Sequence, residues 1–289
     1  MGNSKIILGT VQLGLDYGVN NKSGKPDLKE AFEILSSAYK NGVRILDTAE
    51  AYGSSQEVIG SFHTKNPETK FNVISKVSQP RNLGNFKNNV LKSLKVLEID
   101  SFYGYMVHNY QTLKENPSIY TEMLNIKNDG FTKLIGISLY ENEEIRDVID
   151  NYRFDFIQIP FNILDNHSFR GEIIEKARKS GLEIHTRSSF LQGLFFMDIM
   201  ELPKPMNPLK EDLERIKGIC AKHNMEVQDL SLGYVNSKSY IDQIVIGVDS
   251  NRQLLSNLKS AENVLSEEII MEIEEIKVDN KEMLNPTNW

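Results

Sequence analysis

Apolar runs alternate with amphipathic stretches along the whole chain. The apolar runs are rich in Ile and Val and show little alternation with polar residues, which is typical of strands buried on both faces of a parallel sheet. The predicted strands are 5–10, 44–48, 71–77, 102–108, 133–138, 154–160, 182–187 and 243–248. Eight strands, each followed by a helix, are the components of a (β/α)8 barrel, so the pattern favours a TIM barrel of the α/β class.

Amphipathic helices are predicted between and after these strands. The stretch 211–236 is predicted to form either one long helix or two abutting ones. Gly42 and Gly181 stand where a helix would end just before a strand. The other predicted helices are 28–42, 86–99, 143–152, 168–181, 251–261 and 266–277. We therefore expect a single barrel domain over residues 1–289, with an additional C-terminal helix and tail.

The main alternative fold is an open, doubly wound sheet. A sheet of that kind that binds a dinucleotide has G-x-G-x-x-G in its first turn, whereas the first strand here continues into Gly-Thr-Val-Gln-Leu-Gly (9–14). No Walker-type phosphate loop and no linker rich in Pro, Gly or Ser occurs in the sequence. Residues 200–209, which contain three prolines, are interpreted as an ordered loop over the barrel mouth.

Composition excludes several function classes. The 289 residues include 33 basic and 40 acidic side chains, for a net charge of −7. A net acidic chain lacks the basic face that nucleic-acid binding requires. The one cysteine, Cys220, forms no intrachain disulfide, and no cysteine cluster is present to hold a metal. Because there is no long apolar run and no signal-peptide pattern, we expect a cytoplasmic protein without a membrane partner.

Ionisable residues stand at the ends of three consecutive predicted strands. Asp47 ends the second strand and Tyr52 follows it, Lys76 ends the third strand, and His108 ends the fourth. In a (β/α)8 barrel, the carboxyl ends of the strands face one common mouth. An ammonium group stabilises a phenolate, a carboxylate keeps that ammonium charged, and an imidazole can hydrogen-bond a carbonyl. Such a set can protonate an oxygen while a hydride reaches the attached carbon.

Six segments resemble the aldo-keto reductase family in order and spacing. RILDTAEAYGSSQEVIG (44–60) resembles the family signature around its Asp and Tyr. The other matching segments are ISK (74–76), MVHN (106–109), GIS (136–138), FIQIPFN (156–162) and VIGVDSNRQLLSNLKSA (245–261). Each segment is short, but together they span roughly residues 5–262. The resemblance implies a (β/α)8 barrel that binds NADP(H) in extended form and interconverts a small-molecule carbonyl and an alcohol.

The resemblance also implies residue roles. Tyr52 would be the general acid and base, Lys76 would lower its pKa, Asp47 would pair with Lys76, and His108 would orient the carbonyl. The positions that match the cofactor site are Ser138 and Gln158 for the nicotinamide carboxamide, Arg187, Ser188 and Gly193 after the seventh strand, and Gly247, Ser250, Gln253 and Asn257 at the adenosine end.

Three positions depart from the family pattern. Leu139 stands where many members have Asn, and Arg187 stands where an aromatic residue usually stacks on the nicotinamide. A guanidinium plane can stack in a similar way. Asp249, with Arg252 close by, occupies a loop in which a basic residue often contacts the 2′-phosphate. Since a carboxylate there favours a free ribose 2′-hydroxyl, NADP(H) is the family default and NAD(H) the alternative.

Several functional questions stay open at the level of sequence. Lys76 could instead form a Schiff base, although Asp47 opposes the neutral form which that chemistry needs. The chain could also be a regulatory protein that binds a redox cofactor. In the polar loop 15–27, LDYG with a following Gly-Lys-Pro resembles relatives from carbohydrate and surface-polysaccharide pathways, and this resemblance implies a sugar-derived substrate. The tail ending at Trp289 either frays or folds over the mouth. Oligomeric state and reaction direction are not predicted.

Overall fold

Eight parallel strands form a closed barrel in which each strand pairs with the next along the chain and β8 pairs with β1. The structure is a computed structural model that describes residues 5–21, 24–77 and 83–289. The strands are β1 Ile6–Gly9, β2 Ile45–Asp47, β3 Asn72–Val77, β4 Phe102–Val107, β5 Thr132–Ser138, β6 Phe156–Pro160, β7 Glu183–Arg187 and β8 Gln243–Gly247. All eight predicted strands and the barrel architecture are confirmed.

Helices surround the barrel and connect its strands. They are α1 Val11–Gly14, α2 Leu28–Lys40, α3 Ser55–Lys65, α4 Phe86–Leu97, α5 Tyr110–Glu115, α6 Ser118–Asn128, α7 Asn142–Asn151, α8 His167–Lys179, α9 Lys210–His223, α10 Val227–Ser237, α11 Asn251–Ser260 and α12 Glu267–Glu274. The stretch 211–236 contains two helices, because α9 ends at Asn224 in the left-handed conformation. Gly42 and Gly181 also have positive φ angles and end their helices as predicted. No helix in the described part of the chain is long and apolar enough to cross a membrane.

The lower half of the barrel interior is filled by apolar side chains. Ile7, Ile74, Met106 and Phe156 form a buried cluster inside the ring of strands. The Phe156 ring stacks on the buried His185 ring at a centroid distance of 4.6 Å. The ring has room because β4 and β5 present glycines to it, and a Cβ atom on Gly136 would lie 2.5 Å from Phe156 Cζ. This packing closes the barrel below the site.

The upper half of the barrel interior is polar. Successive side chains of a strand point to opposite faces, so residues two positions apart share a face. The inward positions two residues beyond the apolar layer are Asp47, Lys76, His108, Ser138, Gln158 and Arg187. The strand period therefore places the predicted strand-end residues in one layer at the barrel mouth.

The segments after β7 and α12 are ordered and pack together. Residues 200–209 contain two short 3-10 turns, as expected for an ordered loop, and contact the C-terminal segment Lys281–Leu284. Trp289 is partly buried, and its indole Nε1 donates a hydrogen bond to the backbone oxygen of Met283 at 2.9 Å. The tail is thus held against the core, and Thr287 reaches the cavity at the barrel mouth.

The glycine at position 136 provides a test of the barrel packing. Gly136→Ala places a methyl group against the Phe156 ring, so we expect it to lower the free energy of unfolding by about 1–3 kcal/mol. The measurement is urea unfolding followed by circular dichroism.

The matched control is Gly218→Ala in α9. No heavy atom lies within 4 Å of the added Cβ, and alanine is the better helix former, so we expect a gain of about 0.5–1 kcal/mol. Unchanged stability of Gly136→Ala would contradict the proposed packing of Phe156.

Candidate active site

A cavity of about 810 Å³ opens at the carboxyl ends of the strands. Volumes of this size are typical of small-molecule and cofactor sites. The predicted site residues that line it are Asp47, Tyr52, Lys76, His108, Ser138, Gln158, Arg187, Ser188, Gly193, Gly247, Gln253 and Asn257. Ser250 does not line the cavity, and its hydroxyl instead accepts a hydrogen bond from the backbone N–H of Gln253 at the start of α11. The structure therefore brings all the other predicted residues together.

A buried ion pair lies at the centre of the site. The Lys76 ammonium donates a hydrogen bond to Oδ1 of Asp47, and the two residues are only 2% and 3% exposed. Gln158 Nε2 donates to the other carboxylate oxygen at 2.8 Å. Lys76 also donates to the backbone oxygen of Thr48 at 3.3 Å. Both oxygens of Asp47 are thus engaged, which fixes the direction of the lysine side chain.

Lys76 lies directly beside Tyr52. Its Nζ atom is 5.0 Å from the centroid of the Tyr52 ring. Burial by itself disfavours the charged lysine, but the Asp47 carboxylate and the Tyr52 hydroxyl outweigh it, so the pKa of Lys76 is raised above its ordinary value. Lys76 is therefore a fixed positive charge next to the phenol at neutral pH.

His108 lies on the other side of Tyr52. The two rings meet edge to face with a centroid distance of 6.0 Å. Burial, together with the positive charges of Lys76 and Arg187, lowers the pKa of His108 to about 4, and Asp47 offsets this only in part. A neutral imidazole donates one hydrogen bond through one ring nitrogen. His108 can therefore hold a carbonyl oxygen near the Tyr52 hydroxyl without adding charge.

Arg187 lies at the end of β7 with its guanidinium over an aromatic ring. Its Cζ atom is 4.0 Å from the centroid of the Tyr140 ring. Its two hydrogen bonds, to Ser188 Oγ and to the backbone oxygen of Leu139, are both long at 3.4 Å. The stacking partner in the structure is a tyrosine after β5, and stacking on a nicotinamide stays a prediction.

The loop after β7 contacts the loop after β1 across the cavity. Gln192 has a φ angle of 56° and Gly193 one of 89°, so the chain turns tightly there. The backbone oxygen of Gln192 accepts a hydrogen bond from Val19 N–H at 3.1 Å. Within the predicted loop 15–27, Lys22 and Ser23 lie outside the described residues. Two loops distant in sequence thus form one wall.

The adenosine end predicted from the sequence lies around the start of α11. Asp249 Oδ1 accepts a hydrogen bond from Asn21 Nδ2 at 3.3 Å, and burial raises the pKa of Asp249. The Asp249 N–H donates to Gln253 Oε1 at 2.7 Å. Gln228 Nε2 donates to Asn257 Oδ1 at 2.5 Å. Asp249 itself lines the cavity, so a ligand phosphate there would meet its carboxylate.

The cavity wall contains buried polar atoms that fit a polar ligand such as a dinucleotide. Gln12 Oε1 and Ser189 Oγ line the cavity, are buried, and have no hydrogen-bond partner in the described part of the protein. Buried polar atoms without partners cost free energy, so they are typical of sites that a ligand completes. A Cβ atom on Gly247 would lie 2.4 Å from Gln12 Nε2, and the glycine therefore leaves room for that side chain.

Sequence reasoning missed the cavity residues that lie beyond the strand ends, in α1, in the 3-10 turn after β7 and in loops. They include Gln12, Tyr17, Tyr140, Ser189, Phe190 and Phe196. These positions lie beyond the strand ends, where neither the strand period nor the spacing in the sequence predicts which way a side chain points. For Tyr140, the one signal in the sequence is that an aromatic residue stands two positions after Ser138.

Other candidate polar residues have structural partners. The buried His63 contacts the backbone oxygen of Leu97 through Nδ1 at 2.8 Å and accepts from Phe71 N–H through Nε2. Glu50 accepts a hydrogen bond from the Tyr105 hydroxyl at 2.6 Å. Both side chains are thus hydrogen-bonded within the protein.

Comparisons with known proteins agree with this geometry. A sequence model of the Aldo/keto reductase family matches residues 5–278. The chain is 24% identical over 305 residues to the NADH-specific methylglyoxal reductase of Escherichia coli, with 91% of each chain covered. It is 24% identical to an aryl-alcohol dehydrogenase of Pestalotiopsis microspora, covering 94% of this chain and 78% of that protein. In fold it is similar to the holo form of an aldo-keto reductase from Bacillus halodurans (TM-score 0.78, 18% identity, 96% and 93% covered).

The low pKa of His108 predicts that the free energy of unfolding decreases in mild acid. The ordinary pKa of 6.5 applies to the unfolded chain and about 4 to the folded one, so the unfolded chain binds an extra proton between these values. Stability is therefore lost as the pH falls from 6.5 to 4. We expect His108→Gln to lose about 3 kcal/mol less over this range. Urea unfolding at pH 7, 5.5 and 4.5 measures the difference, and parallel curves for the two proteins would refute it.

Proposed function

The chain belongs to the aldo/keto reductase family, and we propose that it catalyses the NAD(P)H-dependent interconversion of a carbonyl compound and an alcohol, with Tyr52 as the proton donor. Members of this family are oxidoreductases that use NAD(P)H. The proposal rests on one observation above all: a buried, charged Lys76, held by Asp47, lies beside the Tyr52 ring.

The proposed mechanism assigns one task to each of these side chains. Ser138 and Gln158 would hold a reduced nicotinamide, whose chemistry when bound would be the supply of a hydride to the carbonyl carbon. Tyr52 donates its hydroxyl proton to the carbonyl oxygen, and the neutral His108 holds that oxygen by a hydrogen bond. Lys76 stabilises the negative charge left on the Tyr52 oxygen, while Asp47 and Gln158 hold Lys76 in place. In the reverse direction, Tyr52 accepts the proton of the alcohol.

The Schiff-base alternative is disfavoured by the same contacts. A lysine that attacks a carbonyl must be neutral, and burial alone would favour that state. Asp47 and Tyr52 instead raise the pKa of Lys76 and keep it protonated. The third possibility, a regulatory protein that binds a redox cofactor, differs from the reductase in showing no turnover with any carbonyl compound.

For the cofactor, we propose that Ser138 and Gln158 hold the nicotinamide carboxamide, as the family match implies. Ser188 and Gly193 then lie along the cofactor after β7, and the match assigns to Arg187 only the stacking of its guanidinium plane on the nicotinamide, which leaves its N–H donors free. Gly247, Gln253 and Asn257 face its adenosine end, where Ser250 acts as the helix cap. The orphaned Gln12 and Ser189 oxygens support a polar ligand in this cavity.

NAD(H) is the form of the cofactor that the adenosine end favours. The Asp249 carboxylate faces the cavity and would repel a 2′-phosphate. The Escherichia coli relative is named as NADH-specific. NADP(H) remains the family default in the sequence interpretation, and a sugar-derived substrate and a cytoplasmic location stay predictions.

Replacing Tyr52 tests the proton donor. Tyr52→Phe removes the hydroxyl without changing the ring, so we expect carbonyl reduction to fall by at least about 10³-fold while NADH still binds, as followed by its fluorescence. The matched comparison is Tyr17→Phe, because Tyr17 is a second phenol that lines the cavity. A larger loss in Tyr17→Phe than in Tyr52→Phe would show that the donor is misassigned.

Replacing Asp249 tests the cofactor preference. Asp249→Ser removes the carboxylate near the expected 2′-phosphate, so we expect kcat/KM for NADPH relative to NADH to rise about tenfold. Asn21→Ser is the control, since it breaks the hydrogen bond between the two residues but keeps the charge. If Asn21→Ser gives the same change in the ratio, the loop contact rather than the carboxylate sets the preference.

A further inference from the structure

Arg187 is a charged side chain in the cavity wall without a counter-ion. It is half-buried, and no carboxylate in residues 5–21, 24–77 or 83–289 lies within 4.0 Å of its guanidinium. Its recorded polar contacts are the two 3.4 Å hydrogen bonds to Ser188 Oγ and the Leu139 carbonyl. A guanidinium offers five N–H donors, so most of its hydrogen-bonding capacity is unused.

The neighbouring carboxylates are engaged elsewhere. Asp165 forms a two-bond ion pair with Arg170, one bond of which joins Nη2 to Oδ2 at 2.9 Å. Asp47 is held by Lys76 and Gln158. Neither can turn to Arg187 without leaving another buried charge unpaired, which is costly. The N–H donors of Arg187 are therefore open to an anion that enters the cavity from outside the protein chain.

We propose that Arg187 binds an anionic group, a carboxylate or a phosphate, on the carbonyl substrate itself. The inference rests on the proposed function, since it deepens the substrate class of the same site. A planar guanidinium binds either anion through two parallel hydrogen bonds. The stacking of Arg187 on Tyr140 keeps this plane in one orientation.

Arg187 lies in the same layer of inward-facing side chains as His108 at the barrel mouth. It is near enough for its positive charge to contribute to the lowered pKa of His108, whose ring lies edge-on to that of Tyr52. Both residues line the same cavity, with Tyr17 and Tyr140 also in its wall. A substrate whose carbonyl lies at Tyr52 and His108 could thus reach Arg187 with its anionic end.

The bound cofactor is the other source of an anion, because its pyrophosphate would share this cavity. The two sources predict different results. If Arg187 binds the substrate, its removal changes the choice between anionic and neutral substrates. If Arg187 binds the cofactor phosphates, its removal weakens NADH binding and lowers turnover of all substrates by the same factor.

The experiment compares pairs of aldehydes in which one member carries an anionic group and the other is neutral. Full-length wild type, Arg187→Met and Arg187→Lys are assayed with NADH on 4-carboxybenzaldehyde against 4-formylbenzamide, and on glyceraldehyde 3-phosphate against glyceraldehyde. We expect the wild type to favour the anionic member of at least one pair. We expect Arg187→Met to lower that kcat/KM ratio by about 10–100-fold, because a charge-assisted hydrogen-bond pair is lost. Arg187→Lys should restore part of it.

The matched control is Arg252→Met. Arg252 lines the same cavity but is exposed at the start of α11, so its removal should leave the ratio unchanged. An unchanged ratio in Arg187→Met, or an equal loss on both members together with weaker NADH binding by fluorescence, would overturn the inference. A wild type that reduces none of the four compounds or any other carbonyl would instead contradict the proposed function.

Discussion

The site depends on burying one lysine charge beside one phenol. Lys76 is almost inaccessible to water, so its charge persists only because Asp47 accepts its hydrogen bond. Asp47 in turn is held by Gln158, which lies on β6, four strands away around the barrel. Only a closed barrel brings these three strand ends to one point. The fold and the chemistry are therefore linked through this ion pair, and removing either partner would leave an uncompensated charge in the interior.

Charge is distributed unevenly along the cavity. At the end of the cavity that contains the proposed proton donor, the charges of Lys76 and Arg187 both help to keep His108 neutral. At the opposite end, a carboxylate, Asp249, faces the cavity and is tied to the first loop. Lys76 forms an ion pair with Asp47, whereas Arg187 forms none with any carboxylate in the described part of the chain. This imbalance lies where a substrate would bind, and it distinguishes this cavity from one suited to neutral compounds alone.

The barrel and most of its polar layer could be predicted from the sequence because both follow simple periods. Apolar runs marked every strand, and the ends of these runs placed Lys76 and His108 at the barrel mouth. In the structure, the strand period of two sets them above Ile74 and Met106. No bounds were predicted for α1, α3, α5 and α6, and α1 and α5, with 4 and 6 residues, are too short to show a helical period. The wall formed by Gln192 and Val19 could not be foreseen, since it depends on left-handed conformations at non-glycine residues. Ser250 was placed in the ligand site because motif matching does not distinguish a helix cap from a ligand contact.

The apolar packing around Phe156 limits the routes by which protons can reach the site. Together with Ile7, Ile74 and Met106, the ring seals the barrel below the ion pair. These side chains leave no path for water through the barrel, so its interior opens only at the carboxyl ends of the strands. If Tyr52 is the proton donor, as we propose, it would regain its proton only from the side on which substrate and cofactor would arrive. Reprotonation of Tyr52 and exchange of ligands would therefore use the same opening and would occur one after the other.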